Sequence, residues 1–130
     1  MIKNWQAYTA VLIVIILVVS AGLWSQHYLE RTAQQLGAEL EPLLTSAYHE
    51  SWVEVGDKLI AFQHQWAPVR KNWALVVVHF EIDQIERSLA RVSQYTNAQD
   101  KPGVLAELGE LKILIRHVPE RERLSWRNLF

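Results

Sequence analysis

Charged side chains are missing from Tyr8 to Leu23, and from Leu29 onward apolar residues recur every three or four positions. The uncharged stretch includes Tyr8, Val11, Leu12, Ile13, Val14, Ile15, Ile16, Leu17, Val18 and Val19, and lies between Trp5 and Trp24. At ~1.5 Å rise per residue, the helix from Trp5 to Trp24 covers roughly 28 Å, close to the ~30 Å hydrocarbon thickness of a bilayer. Indole rings favour the headgroup boundary, so the two tryptophans read as interface anchors around a transmembrane helix. A β-branched run such as VLIVIILVV forms helix poorly in water. In lipid a helix is the one single-segment way to satisfy its backbone.

After the span the period stays helical. Leu29, Ala33, Leu36, Leu40, Leu43 and Ala47 form one stripe, predicting a helix over about 26–48 that continues from the membrane and that Pro42 bends. Ser51 followed by Glu54 has the spacing of a capping box, so a new helix is expected from Trp52. Trp52, Val55, Leu59, Phe62, Trp66, Val69, Trp73, Val76 and Phe80 then keep a 3-4 alternation. The stripe shifts to Val78, Ile82, Ile85, Leu89, Val92 and Tyr95, and the pattern predicts one helix over 52–96, kinked near Pro68. Residues 97–102 read as a turn with Asp100 as N-cap. Val104, Leu108, Leu111, Ile115 and Val118 predict a last helix over 101–118, stopped by Pro119 and followed by an irregular tail.

No stretch reads as a strand. The expected fold is all-α: an N-terminal transmembrane helix with residues 1–24, then an antiparallel amphipathic helical bundle over 25–130. The seam of Trp52, Leu59, Trp66, Trp73 and Phe80 is expected to be core or a partner contact, because bulky aromatics also anchor interfaces.

A cleaved secretory signal would share Lys3 and the small residues Val19-Ser20-Ala21. The apolar run is longer than the usual ~7–15-residue signal core, which favours a retained span. Lys3 lies before the span, whereas Arg31 faces Glu30, Glu39 and Glu41 after it. The positive-inside rule therefore predicts a cytoplasmic N-terminus and an extracytoplasmic domain.

Charge and cysteine content narrow the chemistry. Twelve Lys and Arg against fourteen Asp and Glu follow Trp24, with no basic concentration of the kind nucleic acid needs. Cysteine is absent, so neither disulfides nor thiol chemistry is available. No phosphate loop, nucleophile elbow or zinc-protease motif occurs, and neither an enzyme nor a cofactor is expected. One polar cluster stands out: His79, Glu81, Asp83 and Glu86. On a helix His79, Asp83 and Glu86 share a face at i, i+4 and i+7. They suit a structural network in which Asp83 accepts from His79, a partner contact, or a weak divalent-metal site. His27, His49, His64 and His117 read as surface residues.

The span, the Ser51-Trp52 start, WAPVRKNW, VVVHFEIDQIERSL and the terminal LSWRNLF together resemble domain-of-unknown-function family 4363. These are small single-pass membrane proteins of spore-forming bacteria. The resemblance implies a membrane setting linked to sporulating organisms and supplies no activity, cofactor or catalytic residue. The expected role is a membrane-tethered, non-enzymatic interaction or scaffold module. Its partners would be the lipid bilayer and another membrane or envelope protein, or a second copy. The alternative is a metal or ligand sensor using the His79/Asp83/Glu86 face.

Overall fold

A computed structural model describes residues 2–129, so Met1 and Phe130 at the ends of the expected segments lie outside the described residues. Four helices and no strand account for them: α1 (Ile2–Tyr48), α2 (Trp52–Trp73), α3 (His79–Asn97) and α4 (Lys101–Leu129). Helix α1 packs on α2 and α4, α3 packs on α4, and the α2–α3 edge is the loosest of the four. The result is an up-down-up-down antiparallel bundle built on the distal half of α1.

At ~1.5 Å per residue α1 is about 70 Å long, and it does not break between the membrane-like segment and the bundle. Its two halves differ in what covers them. Every large apolar side chain from Tyr8 to Val19 faces outward, and α1 is long and apolar enough to cross a membrane. Leu29, Leu36, Leu40, Leu43 and Ala47 are buried in the core, where α1 packs on α2 and α4. Opposite them sit Val55, Leu59, Phe62, Trp66 and Trp73 of α2, Ile82, Ile85, Leu89 and Val92 of α3, and Val104, Leu108, Leu111, Ile115 and Val118 of α4.

Three expectations fail at helix ends, each for a physical reason. The expected single helix over 52–96 is two helices, separated by the turn Ala74–Val78. Pro68 does not cause the break. It lies on the exposed face of α2, where water satisfies the carbonyl its ring leaves unpaired. The break comes at Ala74–Val78, where Val77 turns inward and plugs the end of the core, so that α3 can fold back. The shift of apolar phase after Trp73 marks this reversal, and Phe80, expected in the seam, is instead exposed.

The second concerns Ser51, which precedes α2 but makes no side-chain cap. Glu54 does not reach back to it; its carboxylate accepts from the buried Ser46 hydroxyl at 3.2 Å and pairs with Lys58. The third is Pro119, which sits buried inside α4, and the helix runs on to Leu129. The Asp100 cap forms as expected, its Oδ1 accepting from Gly103 N–H at 3.1 Å. Gly103 has no room for a side chain, since a Cβ there would lie 2.5 Å from the Tyr95 ring.

The two turns at the far end of the bundle share one design. Ser51 N–H donates to the Ser46 carbonyl at 2.9 Å and Asp100 N–H to the Tyr95 carbonyl at 2.9 Å, each closing a Schellman motif. The left-handed position in these motifs is held by Glu50 (φ 56°) and Gln99 (φ 53°), where glycine would be unstrained. Glu50→Gly and Gln99→Gly should therefore each stabilise the bundle by about 0.5–1 kcal/mol in denaturant unfolding. The same substitution at the right-handed Ala98 should destabilise it.

Candidate functional site

The aromatic seam of α2 closes the membrane-proximal end of the core. Trp73 is fully buried, and its Nε1–H donates to the buried Thr32 hydroxyl of α1 at 2.9 Å. Thr32 passes the bond on to the Tyr28 carbonyl at 2.8 Å, so no polar atom of the pair is stranded. The Trp66 ring meets Trp73 edge-on, with centroids 5.5 Å apart. Trp66 Nε1–H donates to Glu86 of α3 at 3.0 Å, and Arg70 binds the same oxygen at 2.6 Å. Two indoles thus tie α2 to α1 and to α3. Leu59 is buried beside them, and Trp52 packs partly buried at the distal end.

The polar cluster expected at the start of α3 does not assemble. His79 and Asp83 are exposed, and among the described residues no hydrogen bond joins them. Glu86 turns toward α2, while Glu81 turns toward α4 and pairs with Arg121 at 3.1 Å. Helical spacing put these residues near one another, but the neighbouring helices offer cations only to Glu81 and Glu86. No group of three potential metal ligands exists among the described residues, so His79, Asp83 and Glu86 do not converge on one point.

A different convergence lies at the base of the bundle, where α4 runs down beside the upper part of the membrane-like segment. Gln26 Nε2–H donates to the Pro119 carbonyl at 2.9 Å, and Arg123 pairs with Glu30. Two turns below Pro119, the Trp126 ring rests on Gly22, where an added Cβ would lie 3.4 Å from it. Val19, Leu23, Arg123 and Arg127 complete this almost wholly apolar groove. Beside it, Ser25, Leu29, Leu75, Val76, Glu122, Trp126 and Leu129 line a second recess. Burial, and then the charge of Glu81, push the Glu122 carboxyl above its ordinary value.

Local sequence hides these base residues, because Pro119 reads as a helix stop. The apolar residues Leu124, Trp126 and Leu129 of LSWRNLF, and the lone Gly22 in a β-branched segment, are the available signals. Trp5 and Trp24, by contrast, stand exposed at the two ends of the apolar segment.

The family model described as "Domain of unknown function (DUF4363)" matches residues 23–129. No curated protein and no solved structure matches the chain.

Two outcomes follow from this geometry. Trp73→Ala should cost roughly 3–5 kcal/mol in equilibrium unfolding, whereas Asp83→Ala should change stability by less than ~0.5 kcal/mol. For Glu122 the fold favours the protonated acid, so ionisation opposes folding as pH rises through its folded-state value. Glu122→Gln should therefore raise the thermal midpoint at neutral pH. That gain should fade in melts below the group's ordinary value of 4.5.

Proposed function

Given that the chain belongs to the family described as domain of unknown function DUF4363, we propose that it is a membrane-tethered, non-enzymatic helical module. Its α1 crosses the cell or spore membrane of a bacterium with the N-terminus inside. The bundle stands outside and contacts another membrane or envelope protein.

One observation carries this reading. A single unbroken helix joins an outward-facing apolar segment of bilayer length to a bundle with a filled core. Such a helix has no use for its apolar surface in water, where the exposed β-branched run would be an aggregation liability. Lipid removes that cost and leaves the distal half of α1 to organise α2, α3 and α4 outside the membrane.

An interaction role is supported by where the polar groups are used. Lys112 with Glu41, Arg91 with Glu107, Arg121 with Glu81 and Arg70 with Glu86 all stitch one helix to the next across the bundle's surface. These pairs hold the helices in register and present a rigid, charged exterior, the kind of surface that selects partners by electrostatic complementarity. The sporulation link carried by the family resemblance would make a spore-forming cell the natural place to look for that partner.

Topology is the test. The chain has no cysteine, so Thr45→Cys and Asn4→Cys report without background. In intact cells an impermeant thiol reagent should label Thr45→Cys and spare Asn4→Cys until the membrane is permeabilised. Labelling of Asn4→Cys alone would reverse the orientation. A mature chain lacking the first ~20 residues would remove the tether.

A further inference from the structure

We propose that the base of the bundle is a membrane-docking surface, so that the domain is seated on the lipid interface and not held off it on a stalk. This deepens the reading above and rests on α1 crossing the bilayer.

Height along α1 is the first argument. Because α1 is unbroken, Trp24 at the headgroup boundary sets the level of everything packed against the helix. Trp126 rests on Gly22, two residues to the membrane side of Trp24 and so about 3 Å deeper along the axis. Leu75 and Val76, from the α2–α3 turn, share a recess with Ser25 and Leu29, just beyond Trp24. Two separate elements of the bundle therefore reach the level of the boundary.

Exposed apolar side chains gather at that level. Beyond Trp24, the large exposed hydrophobics among the described residues are Tyr48, Val53, Ile60 and Ile113, scattered over the bundle, and seven others. Those seven are Leu75, Val76, Val78 and Phe80 at one corner, and Leu124, Trp126 and Leu129 at the end of α4. Leu75 is 84% exposed and Leu129 is 72% exposed, values that cost solvation if the base is wet.

The arrangement suits a plane better than a helix. A partner helix would need an apolar groove that runs along one axis. Here the apolar groups come from the corner and from the α4 end, at one height around α1, and they continue the lipid-facing surface of the span. Arg123 pairs with Glu30, whereas Arg127 lines the groove beside Trp126, and an arginine can lay its stem on apolar surface while keeping the guanidinium among headgroups.

The test uses the full-length protein reconstituted in phosphatidylcholine vesicles, with single cysteines carrying an environment-sensitive fluorophore. Leu75→Cys and Leu129→Cys report on the base, Ile16→Cys on the span, and the 80%-exposed Val53→Cys on the far end. Brominated acyl chains should quench Ile16→Cys, Leu75→Cys and Leu129→Cys and leave Val53→Cys bright; aqueous iodide should do the reverse. Quenching of Ile16→Cys alone, with the base labels open to iodide, would overturn the docking while the span stands. Base labels reached by neither quencher would mean that a second copy covers the face, which also overturns it. Failure of brominated lipid to quench Ile16→Cys would remove the span itself.

Discussion

A helix of about 70 Å whose backbone never breaks is the constraint on which the rest depends. In the proposed transmembrane setting its N-terminal half must be apolar on every side, because lipid would surround it and offer no hydrogen bonds. Its distal half must be apolar on one stripe only, because α2 and α4 pack over that stripe and water covers the rest. The change from one pattern to the other occurs near Gln26, within one turn of Trp24. It happens without a glycine- or proline-rich hinge, so orientation in the membrane and orientation of the bundle are one variable.

Folding the remaining helices onto this strut is a matter of reversing direction cleanly. At the far end two Schellman turns accomplish it, at the expense of left-handed strain on Glu50 and Gln99. Near the base Val77 drops into the core and Trp73 seals it against Thr32. Pro42 and Pro68 are tolerated because both face solvent. Pro119 is buried, and the Gln26 amide, donating to its carbonyl, ties this stretch of α4 to α1.

Much of this was legible in the residues. The apolar pattern identified a helix long and apolar enough to cross a membrane, the all-α class and most of the core, since a stripe at helical spacing can be hidden only against other helices. What period could not show was direction. An apolar stripe reads alike whether the helix continues or turns back with a new phase, and so Ala74–Val78 reads as helix and Phe80 as seam. Rules for proline and capping misled where tertiary contacts replaced the local ones: Glu54 answers Ser46 and not Ser51, and α4 passes Pro119. The His79, Glu81, Asp83 and Glu86 cluster failed for a related reason, because which carboxylate is engaged depends on where Arg70 and Arg121 arrive from other helices. Nothing local encodes that arrival.

The unbroken α1 also makes the protein a phase-locked device. Each residue inserted between Leu23 and Leu29 would turn the bundle by about 100° around the helix axis and raise it by ~1.5 Å relative to the span. A single insertion would swing the α4 end and the Ala74–Val78 corner away from the positions in which the proposed docking places them over lipid. About seven residues, close to two full turns, would restore the azimuth but lift the bundle roughly 10 Å clear of the headgroups. Length in this short stretch is therefore more tightly constrained than residue identity, and a deletion of one residue here would be felt by every surface the bundle presents.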